Sequence, residues 1–267
     1  MSAITEEQHK IIEAMKCVRI SEYDGVLDTD CFCCKRNEGL ADYFRNSAMD
    51  DDMKEVSACY LVSYPDDSPA LYFTLKCGSL FDMNYNKEVF EQKIKDIEDQ
   101  VADENDIDYE ELLRMKIDVF TKRTGLEQDA GLGQKINYVE NTYPGIEVVQ
   151  FCTNDTIRLQ EKWKQYNMGH SMGEVMFWRY IVSCILNAVR VVGCQYVYLF
   201  AADSSKEEAL INYYSDRLKF VISEDLGTNK PSYDWSCRFM CQTIDGLKDK
   251  QKDYFSNFNR DEDEVTI

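Results

Sequence analysis

The sequence predicts an α/β domain, and the order of segments in its second half carries that prediction. From position 146 onward, short runs of β-branched and aromatic residues alternate with longer stretches whose apolar residues recur at helical spacing. Strand, turn, helix, strand, helix, strand is the order found in α/β domains. The chain has 267 residues, 44% of them hydrophobic and 30% charged, so we expect a single domain spanning residues 1–267.

The first third of the chain predicts one helix and a β-hairpin. A short strand is expected over 16–20, and a cysteine-rich acidic loop follows it. Residues 38–48 have apolar positions at i, i+3 and i+4, which predicts a helix. Residues 59–64 and 70–75 are rich in β-formers and flank a Pro/Asp turn, so they predict two antiparallel strands.

A middle segment, residues 84–135, is acidic and has a helical pattern. Between positions 82 and 129 there are 15 acidic and 7 basic side chains, and apolar residues recur there at helical spacing. We therefore expect an acidic helical insertion that carries much of the net charge of −19. Residues 248–267 are predicted to form a charged, frayed tail.

The second half supplies the elements of the predicted core. The expected strands are 146–152, 194–201, 220–222 and 236–244, and the expected helices are 174–192 and 205–218. A polar stretch, 153–166, and a turn bounded by Gly169 and Gly173 connect the first strand to the first helix. The sequence leaves open whether the last strand pairs within the chain or across a homodimer.

The composition narrows the classes of function. With 49 acidic and 30 basic side chains, the surface should repel nucleic acid and anionic lipid and favour cationic ligands. We therefore expect no nucleic acid partner and no membrane, and no run approaches the roughly 18 apolar residues of a membrane span. The polar N-terminus lacks a signal-peptide pattern, and the eleven cysteines are scattered, so reduced thiols in the cytoplasm are expected.

The cysteines do not predict a metal centre or a thiol nucleophile. Cys31, Cys33 and Cys34 are tightly spaced, but a zinc site prefers a second matching pair of ligands. A nucleophilic cysteine would need a partner histidine, and only His170 is central enough. We expect no metal cofactor.

The turn at 169–173 is the place where an anion would bind. A helix N-terminus presents unpaired backbone N–H groups, which bind phosphate or pyrophosphate without a strongly basic side chain. An acidic protein can therefore still hold an anionic cofactor. Glycines before a helix are also common as plain helix starts, so the turn alone does not establish a site.

Residues 146–220 resemble the core of the GNAT superfamily of acyl-CoA-dependent N-acetyltransferases. The matching features are the strand, the glycine turn with its helix, and the run Ala209-Leu-Ile-Asn-Tyr213-Tyr214 followed by Leu218-Lys219-Phe220. Residues 16–80 resemble the opening of the toxin-type branch. They contain Phe32-Cys33-Cys34, a helix with Leu40 and Phe44, and a strand that ends Phe73-Thr74-Leu75.

Two motifs depart from the superfamily pattern. The Gln/Arg-x-x-Gly-x-Gly/Ala turn is stretched here over Gln165, Asn167, Gly169 and Gly173. The Leu-Gly-Phe motif has Lys219 in place of glycine. These departures bear on activity more than on fold.

The resemblance implies a mixed, mostly antiparallel twisted sheet flanked by helices, with acetyl-CoA as co-substrate. It also implies a V-shaped gap between the strands 146–152 and 194–201. The cofactor-binding candidates are the end of the first strand, whose N–H groups would polarise the thioester carbonyl, and the turn. They are Phe151, Cys152, Thr153, Asn167, Gly169, His170, Ser171, Met172 and Gly173.

The implied reaction is direct attack of a primary amine on the thioester. Tyr214 or Tyr213 would protonate the departing thiolate, since a phenol near pKa 10 suits that step. Glu174, Asp203 or a water chain would accept the proton of the amine. The net charge favours a cationic small-molecule or protein acceptor over tRNA. The alternative is a catalytically inactive GNAT-fold acyl-CoA sensor or protein-interaction module.

Overall fold

The computed structural model describes residues 5–25, 27, 29–82, 141–203, 205, 207–228 and 237–256. The chain divides into two compact units, Met1–Leu80 with Tyr143–Ile267, and Phe81–Thr142. The acidic helical insertion expected at 84–135 lies outside the described residues, so that expectation stays a prediction.

A single mixed sheet forms the centre of the first unit. Its strands are β1 (Lys16–Arg19), β2 (Ala58–Ser63), β3 (Pro69–Asp82), β4 (Thr142–Thr153), β5 (Tyr196–Ala201), β6 (Val221–Ile222), β7 (Leu226–Gly227) and β8 (Arg238–Thr243). They lie in the order β1-β2-β3-β4-β5-β8-β6, and β7 pairs with β3. β4 and β5 are parallel, whereas the β1–β2, β2–β3, β5–β8 and β6–β8 pairs are antiparallel. The expected mixed, mostly antiparallel sheet is confirmed.

Helices cover the sheet and connect its strands. They are α1 (Glu6–Ala14), α2 (Glu38–Asn46), α3 (Ala48–Met53), α4 (Ile157–Gln165), α5 (Met172–Met176), α6 (Val182–Val192), α7 (Ala209–Asp216) and α8 (Ile244–Ser256). A π-helical turn, Phe177–Ile181, joins α5 to α6. A short 3₁₀ turn, Ile20–Glu22, follows β1.

α3 (Ala48–Met53) carries the helical region beyond the expected end at position 48, and three further helices differ from the sequence expectation. α1 and α4 fall where polar segments were expected, because each buries only a narrow stripe: Ile12 in α1, and Leu159 with Trp163 in α4. The tail expected from position 248 is helical through Ser256, because α8 is anchored by the buried Leu247. Residues 257–267 lie outside the described part of the chain.

The helix Met172–Val192 is the apolar centre of the fold. It is 21 residues long, starts two residues before the predicted boundary, and packs Phe177, Trp178 and Ile181 into the main core. By length and composition it could cross a membrane, contrary to the expectation that no run approaches such a span. Its most apolar window is 44% buried inside the protein.

The two faces of the sheet bury different clusters. Val62, Leu71 and Phe73 face the long helix and the main core. Leu61 and Tyr72, at alternate positions of the same strands, face α2 together with Cys152 of β4. The end of β4 therefore lies between the two clusters. The candidate site is built around this end of β4.

Candidate functional site

A wedge opens between β4 and β5. These strands pair only at Gly145–Glu147 with Tyr196–Tyr198, although both are described to their ends. β5 continues to Ala201 against β8, and β4 continues to Thr153. Beyond the paired residues, the facing backbone groups of β4 are left available to a ligand. This short pairing is the arrangement that the implied V-shaped gap requires.

The turn at the wide end of this gap is held from two sides. Gln8 of α1 donates its side-chain N–H to the carbonyl oxygens of Tyr166, at 3.0 Å, and Asn167, at 2.7 Å. Trp163 of α4 donates its indole N–H to the carbonyl of His170 at 3.1 Å. α1 and α4, the two helices that the sequence pattern missed, therefore fix the turn.

The backbone of the turn has two left-handed residues and leads directly into a helix. Asn167 has φ of 47° and Gly169 has φ of 65°, a region that asparagine and glycine tolerate best. Ser171 caps the helix, because its hydroxyl oxygen accepts the N–H of Glu174 at 3.3 Å. The first N–H groups of α5 have no helical partner, so they can bind an anion.

Gly173 is the point where the turn, the end of β4 and α7 meet. A Cβ placed on Gly173 would lie 2.9 Å from the hydroxyl oxygen of Tyr213. The same atom would lie 3.3 Å from Cζ of Phe151 and 3.5 Å from Cγ2 of Thr153. Tyr213, Phe151 and Thr153 thus all border the space beside Gly173, and only glycine leaves that space open.

The two tyrosines of α7 lie side by side but face different groups. Their ring centroids are 5.8 Å apart. Burial raises the pKa of Tyr213 to about 12; contact with Ser171 opposes that rise and the nearby Glu174 charge adds to it. Burial also raises the pKa of Tyr214, on which Cys152 acts in the same direction. Tyr213 lies at the turn, and its hydroxyl meets Gly173 next to Phe151 and Thr153 of β4. Tyr214 packs beside it.

Glu174 is a buried carboxylate at the start of the long helix. It is 4% exposed, and one of its oxygens lies 3.1 Å from Nδ1 of His170. Its other oxygen lies 3.9 Å from the guanidinium of Arg217. A carboxylate in the first turn of a helix is favoured by the helix dipole. Glu174 and His170 form a pair that can hold or pass a proton next to Tyr213.

Asp203 has a different role from the one considered for it. Its carboxylate accepts hydrogen bonds from the N–H and hydroxyl of Ser205, at 2.8 and 2.7 Å, and from the N–H groups of Leu210 and Ile211, at 2.6 and 3.2 Å. The Ser205 bonds contribute most to lowering its pKa to about 2. Such a carboxylate is a poor proton acceptor. Asp203 instead supports the start of α7, a role that an Asp before a predicted helix signals.

Sequence reasoning missed the loop that faces the tyrosines from the other side. Asp155 donates its N–H to the carbonyl of Cys33 at 2.7 Å, and Lys35 donates its N–H to the Asp155 carboxylate at 3.0 Å. This places Arg36 where its charge lowers the pKa of both Tyr213 and Tyr214. The contacts join residues about 120 positions apart, so no local pattern signals them.

The same loop holds a thiol of altered acidity. Cys34 is buried, and its interaction with the Cys152 thiol lowers its pKa to about 6, with help from the N–H groups of Asn37 and Arg36. The eleven cysteines all lie in the described part of the chain, and none of them forms a disulfide there. Within the described ranges, no three His, Cys, Asp or Glu side chains come together in a group that could hold a metal ion.

No protein-family model and no curated protein sequence matches the chain. Its fold, however, is similar to those of solved toxin structures. AtaTR bound with AcCoA is 11% identical over 89% of this chain and 98% of that one, with a TM-score of 0.51. A bacterial toxin is 12% identical over 89% and 95%, also with a TM-score of 0.51. The likeness shows the fold alone, and the fold that the toxin-type resemblance implies is confirmed.

A third match bears on the expected partners. AtaT complexed with acetyl-methionyl-tRNAfMet is 10% identical over 88% of this chain and 97% of that one, with a TM-score of 0.46. A likeness this weak carries no argument about the partners of this chain. Our expectation of no nucleic acid partner rests on net charge alone and stays a prediction.

Proposed function

Given its GNAT fold, we propose that this chain is an N-acetyltransferase that moves the acetyl group of acetyl-CoA to a primary amine. The observation that carries the proposal is the meeting of Gly173, Tyr213, Phe151 and Thr153 at the gap between β4 and β5. Such a gap offers unpaired strand groups on one side and a helix N-terminus on the other. The likeness in fold to AtaTR, solved with AcCoA, supports the choice of cofactor.

The residues of the gap suit acetyl-CoA in two places. Backbone groups of Phe151, Cys152 and Thr153 are the proposed partners of the pantetheine arm, and their N–H groups polarise the thioester carbonyl. The N–H groups at the start of α5, with the Ser171 cap, are the proposed pyrophosphate site. The missing Cβ of Gly173 keeps the space between the two places open.

We assign the general acid to Tyr214 rather than Tyr213. Burial raises the pKa of Tyr214, so its phenol keeps its proton at neutral pH and can donate it to the leaving thiolate. We place the thioester at the Cys152 end of β4, and Cys152 adds to the rise in the pKa of Tyr214. Tyr213, which contacts Ser171 and Gly173, is a positioning residue for the turn.

The proton of the incoming amine goes to the Glu174–His170 pair in this proposal, directly or through water. Their 3.1 Å contact lets the proton be shared between carboxylate and imidazole. We do not assign this role to Asp203, because its four hydrogen bonds make it a poorer proton acceptor. The net charge of −19 supports a cationic acceptor, such as a polyamine or a lysine side chain. The absence of disulfides among the described cysteines supports a cytoplasmic location.

Release of free CoA thiol from acetyl-CoA with a panel of primary amines tests the proposal. Tyr214→Phe should lower kcat by about 100-fold or more while leaving the KM for acetyl-CoA nearly unchanged, because general acid catalysis contributes about 10²–10⁴-fold. Tyr213→Phe is the matched control and should lower kcat less. Turnover unaffected by Tyr214→Phe would remove the acid assignment. Binding of acetyl-CoA without turnover of any amine would favour the inactive sensor.

A further inference from the structure

Two thiols far apart in the sequence meet behind the sheet, away from the candidate site. Sγ of Cys17, in β1, lies 4.0 Å from Sγ of Cys184, in α6. Both side chains are partly exposed, so a small solute can reach them. Neither residue contributes to the gap between β4 and β5.

The pair has the acid–base arrangement that thiol oxidation needs. The Cys17 thiol interacts with Cys184, and this lowers the pKa of Cys184 and raises that of Cys17. The thiolate is the form that reacts with oxidants and with oxidised sulfur. These directions favour Cys184 as the thiol that reacts first and Cys17 as the resolving partner.

We propose that Cys17 and Cys184 form a reversible disulfide when the protein meets a hydroperoxide. The Cys184 thiolate attacks the peroxide, gains one oxygen as sulfenic acid, and the O–O bond breaks with release of water or an alcohol. Cys17 then attacks that sulfur, the S–S bond forms, and the sulfenic oxygen leaves as a second water. The two thiols lose two electrons and two protons, and the peroxide is reduced by the same two electrons.

The geometry allows the bond at the cost of a small movement. The two sulfurs must approach from 4.0 Å to about 2 Å by rotation of the two side chains, neither of which is fully buried. The link would join the first strand of the sheet to its central helix across a sequence separation of 167 residues. Closing so long a loop restricts the unfolded chain strongly, so we expect the unfolding temperature to rise by about 5–15 °C.

The link should leave acetyl-CoA binding intact. Cys184 is in the second half of the helix Met172–Val192, roughly 20 Å along the axis from the Ser171 cap at 1.5 Å per residue. Oxidation at this pair is therefore expected to stabilise the fold without closing the site. The inference is independent of the proposed function, because its products are read from mass and unfolding rather than from turnover.

The test uses the native full-length protein treated with hydrogen peroxide. We expect a loss of two hydrogens in mass, a linked Cys17–Cys184 peptide on mapping, and a higher unfolding temperature that dithiothreitol reverses. Cys184→Ser should abolish all three changes, and Cys194→Ser, at another partly exposed thiol, should preserve them.

Two outcomes overturn the proposal. One is the absence of the linked peptide at a peroxide dose that oxidises the exposed Cys77. The other is a stabilisation that persists in Cys184→Ser, for example through a link between Cys34 and Cys152. The peptide map of the wild-type protein decides the question even if a serine variant fails to fold.

Discussion

Replacing Gly173 with alanine perturbs the site at its most crowded point. The added Cβ would lie 2.9 Å from the Tyr213 hydroxyl oxygen, about half an ångström closer than ordinary contact, and 3.3 Å from Cζ of Phe151. Overpacking of this kind costs about 1–3 kcal/mol. Alanine offsets at most about 1 kcal/mol of that through its higher helix propensity. Gly173→Ala should therefore lower the free energy of unfolding by about 0–2 kcal/mol.

The Tyr213→Phe background separates this contact from every other effect. Removing the hydroxyl removes the 2.9 Å contact and leaves the 3.3 Å contact to Phe151 as the nearest. Gly173→Ala should then be neutral or stabilising by up to about 1 kcal/mol. The double-mutant cycle should give a coupling of about 1–2 kcal/mol between positions 173 and 213.

Urea unfolding followed by tryptophan fluorescence measures the four corners of this cycle. Gly39→Ala in α2 is the control, because its added Cβ meets only the Asn37 side chain, at 3.1 Å, and should be additive with Tyr213→Phe. Additivity of Gly173→Ala with Tyr213→Phe to within about 0.3–0.5 kcal/mol would refute the contact. Gly173→Ala should also weaken acetyl-CoA binding, since its methyl group fills the space between turn and strand.

The remaining predictions concern the supports of the fold and of the turn. Asp52 is 1% exposed and accepts hydrogen bonds from Arg19, at 3.0 Å, and from the N–H of Cys59, at 2.9 Å. Asp52→Asn should therefore lower the free energy of unfolding, measured by urea unfolding, by about 2–4 kcal/mol. Although burial opposes it, these bonds lower the pKa of Asp52. The stabilisation by Asp52 is therefore full above the unfolded pKa near 4 and is lost as pH falls through the lower folded pKa. In an acid titration the free energies of unfolding of wild type and variant should converge below that folded pKa, and a constant difference between them would contradict this. Gln8→Ala removes the hydrogen bonds from α1 to the turn, one of them at 2.7 Å to the carbonyl of Asn167. This variant should bind acetyl-CoA several-fold more weakly in calorimetry, whereas Gln160→Ala should bind it as the wild type does. Equal affinities of Gln8→Ala and wild type would show that α1 does not hold the turn.

Local patterns predicted the elements whose apolar residues are periodic. The glycine turn, the long helix and the tyrosine run of α7 follow from glycine positions and helical spacing, and the structure brings Gly173 and Tyr213 into contact. α1 and α4 were missed because their polar composition hides the few buried residues, such as Ile12 and Trp163.

Other features depend on contacts that no local pattern contains. Arg36 reaches the tyrosines only because its loop is bonded to Asp155, about 120 residues away. The choice between Tyr213 and Tyr214 also needed the fold, because adjacent residues of one helix cannot be told apart by spacing. For Asp203 a local signal was available, because an Asp before a predicted helix is typical of a residue that caps the helix. Asp203 was instead considered as a proton acceptor.

Isothermal titration of the wild-type protein with acetyl-CoA tests the central claim most directly. We expect saturable one-site binding in the micromolar range, with affinity lowered at least ten-fold by Gly173→Ala and unchanged by Gly39→Ala. No heat of binding at millimolar acetyl-CoA, from protein that unfolds cooperatively, would contradict the assignment of the gap between β4 and β5 as an acyl-CoA site.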